Sequence, residues 1–392
     1  MAEKAYITAK VFKWARESAK MTEEIAASKV AVSVDKFKDW ENGEEYPTIR
    51  QAKSLAKAYR RPFALFFLPD VPTDFQPLQD FRKTGSKELS TSSIFIIREI
   101  QQKQAWISEV NEDNNENIVP FIGKYTIEDN PELVANDILT TLNINPLQYK
   151  SNNPITEWID KAESNGIYVS RTSFIHSRLK LDSEEIQGFA IADKFAPFLF
   201  INSDDWNAPQ LFTLVHELAH LWIAETGISN DIRPLIRNKS DYNPIEFFCN
   251  EVAANALMPA EFIDSLDRKA FDNFQEVFKN ARTIGVSSFA LLVRALNLNI
   301  ISLSAYKQLK QVADIEYSEF LKREKAKKIK QKEKEQPGGP SYFLLQLNRN
   351  GRLFTQTVLD AFRGGVIEPS MASNLLNVKA NKFPKLEAQM YR

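Results

Sequence analysis

The stretch that most constrains this chain is Leu211 to Ile223, Leu-Phe-Thr-Leu-Val-His-Glu-Leu-Ala-His-Leu-Trp-Ile. Only Thr213, His216, Glu217 and His220 interrupt its apolar run, and they recur at i, i+3, i+4 and i+7. That spacing puts them on one face of an α-helix. A surface helix carries an apolar stripe on a polar cylinder; this one reverses the pattern. It must be buried, with its polar stripe facing a cleft or an ion.

The stripe spells H-E-x-x-H. Two imidazoles one helical turn apart can hold one zinc ion from the same side, and the glutamate between them can take a proton from water. The bland alternative is a chance pentapeptide. The whole chain has three histidines, which makes that coincidence rare. The neighbours of these two are Leu, Val, Ala and Trp, which offer buried imidazoles few partners. Zinc needs a third protein ligand and keeps one position open. The segment Asn243 to Pro259 reads as the next helix, with Asn243 as N-cap, Pro244 at the first position and Pro259 as a stop. Glu246 is the third-ligand candidate, although a glutamate three residues after an N-cap also fits a capping box. Glu251 and Cys249 are rivals, and a lone cysteine is more often a small buried apolar residue.

H-E-L-A-H at 216–220 followed by E-x-x-C-N-E-V-A-A-x-A-L-M-P at 246–259 resembles the ImmA/IrrE family of bacterial metallopeptidases. The run from Gly285 to Leu296 also fits that family, as a short helix after a Gly-Val-Ser turn. The resemblance implies His216, His220 and Glu246 as zinc ligands and Glu217 as the catalytic base. It further implies a regulatory protease whose substrate is a repressor or antitoxin-like protein. Cys249 and Asn255 depart from the family pattern, and neither is a proposed ligand.

The N-terminal stretch reads as short helices. Ala9 to Ala19 carries Val11, Trp14 and Ala15 on one side; Thr22 and Ser33 are N-caps; Asn42-Gly43 is a stop; Pro47-Thr48 opens Ile49 to Tyr59. Residues 10–60 are similar to a Cro/repressor-type (XRE) helix-turn-helix, through Trp14, Met21-Thr22, Ala26-Ala27, Val32-Ser33, Trp40-Glu41-x-Gly43 and Pro47-Thr48. In that class the helix after Ser33 lies in the major groove of double-stranded DNA, within reach of Ser33, Lys36 and Lys38. Asp35, Asp39, Glu41, Glu44 and Glu45 crowd the same region and repel phosphate, which leaves a protein-contact role open.

A chain of 392 residues with 26% charged side chains suits two or three soluble domains. A net charge of −1 provides no global field for nucleic acid or membrane. One cysteine excludes an internal disulfide and suits a reducing compartment, and no apolar signal or membrane span is evident, so the sequence predicts a cytoplasmic protein.

Between the ends, Ser93 to Asn111 and Glu128 to Leu142 read as containing helices, with a polar loop at 111–117. Ile155 to Asn165 is a further helix. Ile167 to Ser170, Gly188 to Ala192 and Pro197 to Asn202 read as strands of a small sheet against the H-E-x-x-H helix, along whose edge a substrate could add as a strand. His176 and Tyr242 are weak candidates for oxyanion contact. The tail reads as helical around a mixed-charge run and a Gly-Gly-Pro break at 338–340. The expectation is a mainly α fold with a small β-sheet (α+β). It divides into a helix-turn-helix domain at 1–72, a helical linker at 73–145, a zincin-like metallopeptidase domain at 146–302 and a helical region at 303–392 with a charged linker at 321–337. The alternative function is a transcriptional regulator whose zinc module is sensory or structural; metal content and cleavage of a repressor would separate the two.

Overall fold

The computed structural model describes residues 3–73, 77–82, 85–149, 153–176, 179–230, 232–236, 243–266, 268–333 and 340–391. The fold is mainly α with a small mixed sheet, as expected. Two compact units are present: Met1–Pro77, Lys87–Gln101 and Phe174–Leu181 form one, and Leu78–Ser86, Gln102–Ser173 and Asp182–Arg392 form the other. No helix among the described residues is long and apolar enough to cross a membrane.

The first unit begins with α1 (Ala9–Ser18), α2 (Glu23–Lys29), α3 (Val34–Asn42) and α4 (Ile49–Tyr59), followed by a 3-10 turn at Phe63–Phe67. The caps explain these boundaries. Thr22, Ser33 and Thr48 each accept a bond from the backbone N–H three residues on, and Gln51 completes a capping box with Thr48. Gly43 ends α3 at φ 81°, where a Cβ would be strained. Phe12, Phe37, Trp40, Tyr59 and Phe66 fill the core. Of the side expected to be apolar, Val11 and Ala15 are buried, and Trp14 is half-buried beneath the Arg61 guanidinium. Arg16 and Glu41 form a buried pair within this core.

Helix α5 (Thr91–Asp113) runs two residues further than the expected start of the polar loop. The second unit holds a sheet of β1 (Gln79–Asp80), β2 (Tyr168–Thr172), β5 (Gly188–Ile191), β6 (Phe198–Asn202) and β7 (Gly227–Ser229), in the order β1-β7-β5-β6-β2. The three expected strands are present as β2, β5 and β6. The other two members are too short to stand out in the sequence, and one of them follows the H-E-x-x-H helix. The β5–β6 and β5–β7 pairs are antiparallel; β2–β6 and β1–β7 are parallel. Against this sheet pack α7 (Pro154–Ser164) and α8 (Asn207–Trp222), and α6 (Pro131–Leu142) and α9 (Pro244–Leu257) pack in turn on α8. Then come α10 (Ala260–Ser265), α11 (Phe274–Ile284), α12 (Ser288–Asn297) and α13 (Leu303–Glu333). The charged stretch at 321–337 is helical as far as Glu333; its last residues and Gly338-Gly339 lie outside the described residues. The tail forms α14 (Tyr342–Asn350), α15 (Arg352–Arg363), α16 (Pro369–Leu376) and α17 (Phe383–Met390), the last of which the sequence did not suggest. The remaining strands, β3 (Phe174–His176) and β4 (Leu179–Lys180), form an antiparallel pair in the first unit.

Candidate metal centre

Every residue of α8 from Gln210 to Trp222 is buried, so the helix has no solvent face over that length. Its apolar sides pack against β5, β6, α6, α7 and α9. At its C-terminal end the Trp222 ring stacks on Phe121 and its Nε1 donates to Asp137 at 2.8 Å. Helix α9 lies against α8, and its Cys249 and Ala253 are fully buried.

This packing brings His216, His220 and Glu246 together, the one His/Cys/Asp/Glu cluster able to share an ion among the described residues. The two imidazole Nε2 atoms are 3.1 Å apart. Glu246 Oε2 lies 3.4 Å from His216 Nε2, and Oε1 lies 3.2 Å from His220 Nε2. Ser229, at the end of β7, donates its hydroxyl to Glu246 Oε1 at 2.9 Å. The Glu246 carboxylate therefore faces the histidines rather than the start of its helix. That start is capped by Asn243, whose side chain accepts from Ile245 N–H at 2.9 Å.

Glu217 is fully buried beside the cluster, and among the described residues neither carboxylate oxygen has a hydrogen-bond partner of ordinary geometry. Burial pushes its carboxyl well above the usual range, and the Glu246 charge pushes the same way, opposed by the Ser229 hydroxyl. Burial would raise Glu246 too, but the His216 and His220 imidazoles outweigh it and hold that carboxyl below the usual range. Burial lowers His220. Gly188 on β5 permits this crowding, since a Cβ there would stand 2.7 Å from Glu217 Oε1 and 2.8 Å from Thr213 Cγ2.

Neither rival for third ligand is in the cluster. Glu251 is buried but sits five residues beyond Glu246, well over 100° around the helix, and is not in the cluster. Burial, followed by the nearby Glu246 and Glu217 charges, pushes the Cys249 thiol well above its ordinary value. His176 is exposed on β3, in the first unit. Tyr242 lies outside the described residues. Ser33, Lys36 and Lys38 are exposed on or before α3, with the Ser33 hydroxyl used as a cap.

Sequence reasoning missed three contributors. Ser229 supports Glu246, Phe81 stacks on His220 with ring centroids 5.3 Å apart, and Gly188 makes room for Glu217. Gly188 and Ser229 reach the site from β5 and β7, and Phe81 from the residue after β1, without a motif of their own. Asp-Phe-Arg at 80–82 was visible only as part of a linker.

Residues 162–296 match the family model described as the IrrE N-terminal-like domain, a peptidase family. No curated protein matches the chain. The matched segment holds α8 and α9 entire, and with them His216, Glu217, His220 and Glu246. It supports the ImmA/IrrE resemblance and a metallopeptidase-type regulatory function for that segment.

Proposed function

We propose that the second unit is a zinc-dependent endopeptidase whose substrate is a repressor or antitoxin-like protein. The observation that carries this reading is the spacing of three donor atoms. Ligands about 2.0–2.1 Å from a tetrahedral zinc lie about 3.3–3.4 Å from one another. The two Nε2 atoms and the Glu246 oxygens are separated by 3.1, 3.2 and 3.4 Å. Two imidazoles and one carboxylate are also a donor set suited to catalytic zinc. His216, His220 and Glu246 would hold the ion, with Ser229 orienting the carboxylate. Zinc in such a site supplies Lewis acidity and makes water a nucleophile at neutral pH. Glu217 takes the proton of the attacking water and passes it to the leaving amine. The apolar walls of α8 and α9 exclude bulk water from that transfer.

Metal analysis tests the ligand set. Glu246→Gln keeps an oxygen at the position but removes the charge, and should lose zinc on dialysis. Glu251→Gln should retain it. Retention by Glu246→Gln with loss by Glu251→Gln would transfer the role to Glu251. Cleavage of a repressor encoded beside the protein's own gene would separate a protease from a regulator with a sensory zinc.

A second reading concerns residues 1–72 as a helix-turn-helix that binds double-stranded DNA. The capped helices α2 and α3 favour it, with Ser33, Lys36 and Lys38 at the exposed face. Both lysines already face carboxylates: Lys36 with Glu45 at 4.0 Å and Lys38 with Glu23 at 3.4 Å. Arg50, Lys53 and Lys57 on α4 are exposed and make no ion pair among the described residues. A duplex mobility shift that weakens steeply with salt would support DNA contact. Alanine pairs at Lys36/Lys38 and Lys53/Lys57 would show which helix carries it.

A further inference from the structure

One edge of the five-stranded sheet lies beside the buried cluster, and the chain itself occupies that edge. β7 carries Ser229, which bonds to Glu246. Along its outer side runs β1, in parallel, with Gln79 opposite Gly227 and Asp80 opposite Ile228. The Phe81 N–H then donates to the Ile228 carbonyl at 3.1 Å. The Phe81 side chain is 2% exposed, and its ring stacks on the His220 imidazole at an interplanar angle of 10°.

The seat for this ring is built into the sheet. A Cβ on Gly227 would stand 2.3 Å from Phe81 Cε2 and 2.8 Å from the Gln79 carbonyl oxygen, so only glycine admits both. Arg82 folds back on Asp80, with Nε to Oδ1 at 2.9 Å, Nη2 to Oδ2 at 2.7 Å and its own amide to Oδ1 at 3.0 Å. That clamp fixes the backbone on either side of Phe81. The segment Leu78–Ser86 packs with the second unit, although the residues before and after it in sequence belong to the first. A two-residue strand is among the weakest attachments a sheet edge can have.

We infer that the edge of β7 is the substrate-binding edge of the proposed peptidase, and that Leu78–Arg82 is an internal occupant which must leave before substrate enters. An extended substrate segment pairs with Gly227–Ser229 and places an aromatic side chain in the seat of Phe81. The inference rests on the peptidase reading of the same site. Binding as an added strand requires the free N–H and C=O groups of a sheet edge. The opposite edge strand, β2, is packed against by α14 and α15, and its Ser170 hydroxyl donates to the Arg349 carbonyl at 2.6 Å. β7 is therefore the edge that adjoins the cluster, and Gly227 with His220 gives it an aromatic-shaped seat.

Hydrogen exchange on the full chain tests whether the occupant opens by itself. Backbone amides at 79–82 should exchange at least ~100-fold faster than those of β5 and β6. Equal rates would make β1 a permanent strand and overturn the inference. Fluorescence anisotropy with a labelled extended decapeptide holding one Phe in a Ser/Ala/Lys background tests the seat. The Phe peptide should bind about tenfold tighter than its Ala counterpart. Asp80→Ala and Phe81→Ala should each strengthen binding further. Asp80 is exposed and its replacement leaves the buried Phe81 ring in place, so the first variant remains informative if the second folds poorly. No preference for Phe, or no gain in either variant, would overturn the inference. Binding without cleavage in every variant would instead leave the edge assigned and remove the peptidase reading.

Discussion

Glu41 and Glu217 are both buried carboxyls on helices, and they differ in what faces them. Glu41 receives Arg16 Nε at 2.7 Å and Nη2 at 2.9 Å, while Arg16 Nη1 donates to the Met21 carbonyl at 2.8 Å. The Glu41 hydrogen bonds outweigh burial and raise the Arg16 guanidinium above its ordinary value. Protein groups thus complete this ion pair. Glu217 faces a neighbouring carboxylate, two apolar helices and the Ser229 hydroxyl, with no hydrogen bond of ordinary geometry to either oxygen among the described residues. A buried polar group left open is expensive, and it persists where function uses it. The contrast sets a carboxyl completed by the surrounding architecture beside the one to which the proposed function gives a chemical role.

The largest expected effect is at Glu217. Glu217→Gln should lower cleavage by about 10²–10⁴-fold, the usual contribution of a general acid–base, while zinc content stays at the wild-type level. Melting temperature should hold or rise, because a buried ionisable group has been removed. A strong fall in melting temperature would place Glu217 with Glu41 and break the contrast. Next in size is Arg16→Met, which strands Glu41 and should cost the first unit about 3–5 kcal/mol. The double variant Arg16→Met/Glu41→Leu should recover most of that loss, read by chemical denaturation. Tolerance of Arg16→Met alone would mean that the pair contributes little, and that satisfied burial is no guide to a structural role.

Local signals made much of this molecule readable, and distant contacts made the rest opaque. Thr22, Ser33 and Thr48 cap α2, α3 and α4 from within four residues, so those three helices could be placed from the local residue order. The polar stripe of α8 was legible because its period is that of the helix. Glu246 could not be separated from a capping glutamate until α9 was seen to turn its carboxylate toward two histidines. Phe81, Gly188, Gly227 and Ser229 left no local trace. Their roles depend on which strands become neighbours, and β1 and β7 span two and three residues, too short for an alternating pattern to register. Phe12 was not singled out on α1 for a similar reason: it and Trp14 both fit an apolar helix face, and only the packing partners decide which is fully buried.

Glu163 lies between the two extremes and offers the finest test. It sits on α7 at 7% exposure and accepts one hydrogen bond, from the Leu353 N–H at 3.2 Å. That donor belongs to the first turn of α15, whose N-cap is Gly351, so Glu163 supplies a cap from another helix. Gly351 sits at φ 82°, and a Cβ there would stand 2.6 Å from Glu163 Oε1, which keeps the approach glycine-specific. Burial pushes the carboxyl up to about 8, against the Leu353 amide, with Asp160 pushing upward as well. The folded value thus lies above the unfolded one. Between about pH 4.5 and pH 8 the native state holds a proton that the unfolded chain has released. Stability from this group should therefore fall as pH rises through that window, by up to about 1.4 kcal/mol per pH unit, and level off above it. Glu163→Gln keeps an acceptor for Leu353 and removes the titration. Its denaturation midpoint should decline less than wild type between pH 5 and pH 8, and the two curves should converge near pH 4.5. Parallel curves would mean that Glu163 is ionised throughout, so that one backbone amide suffices where Glu41 uses a whole guanidinium.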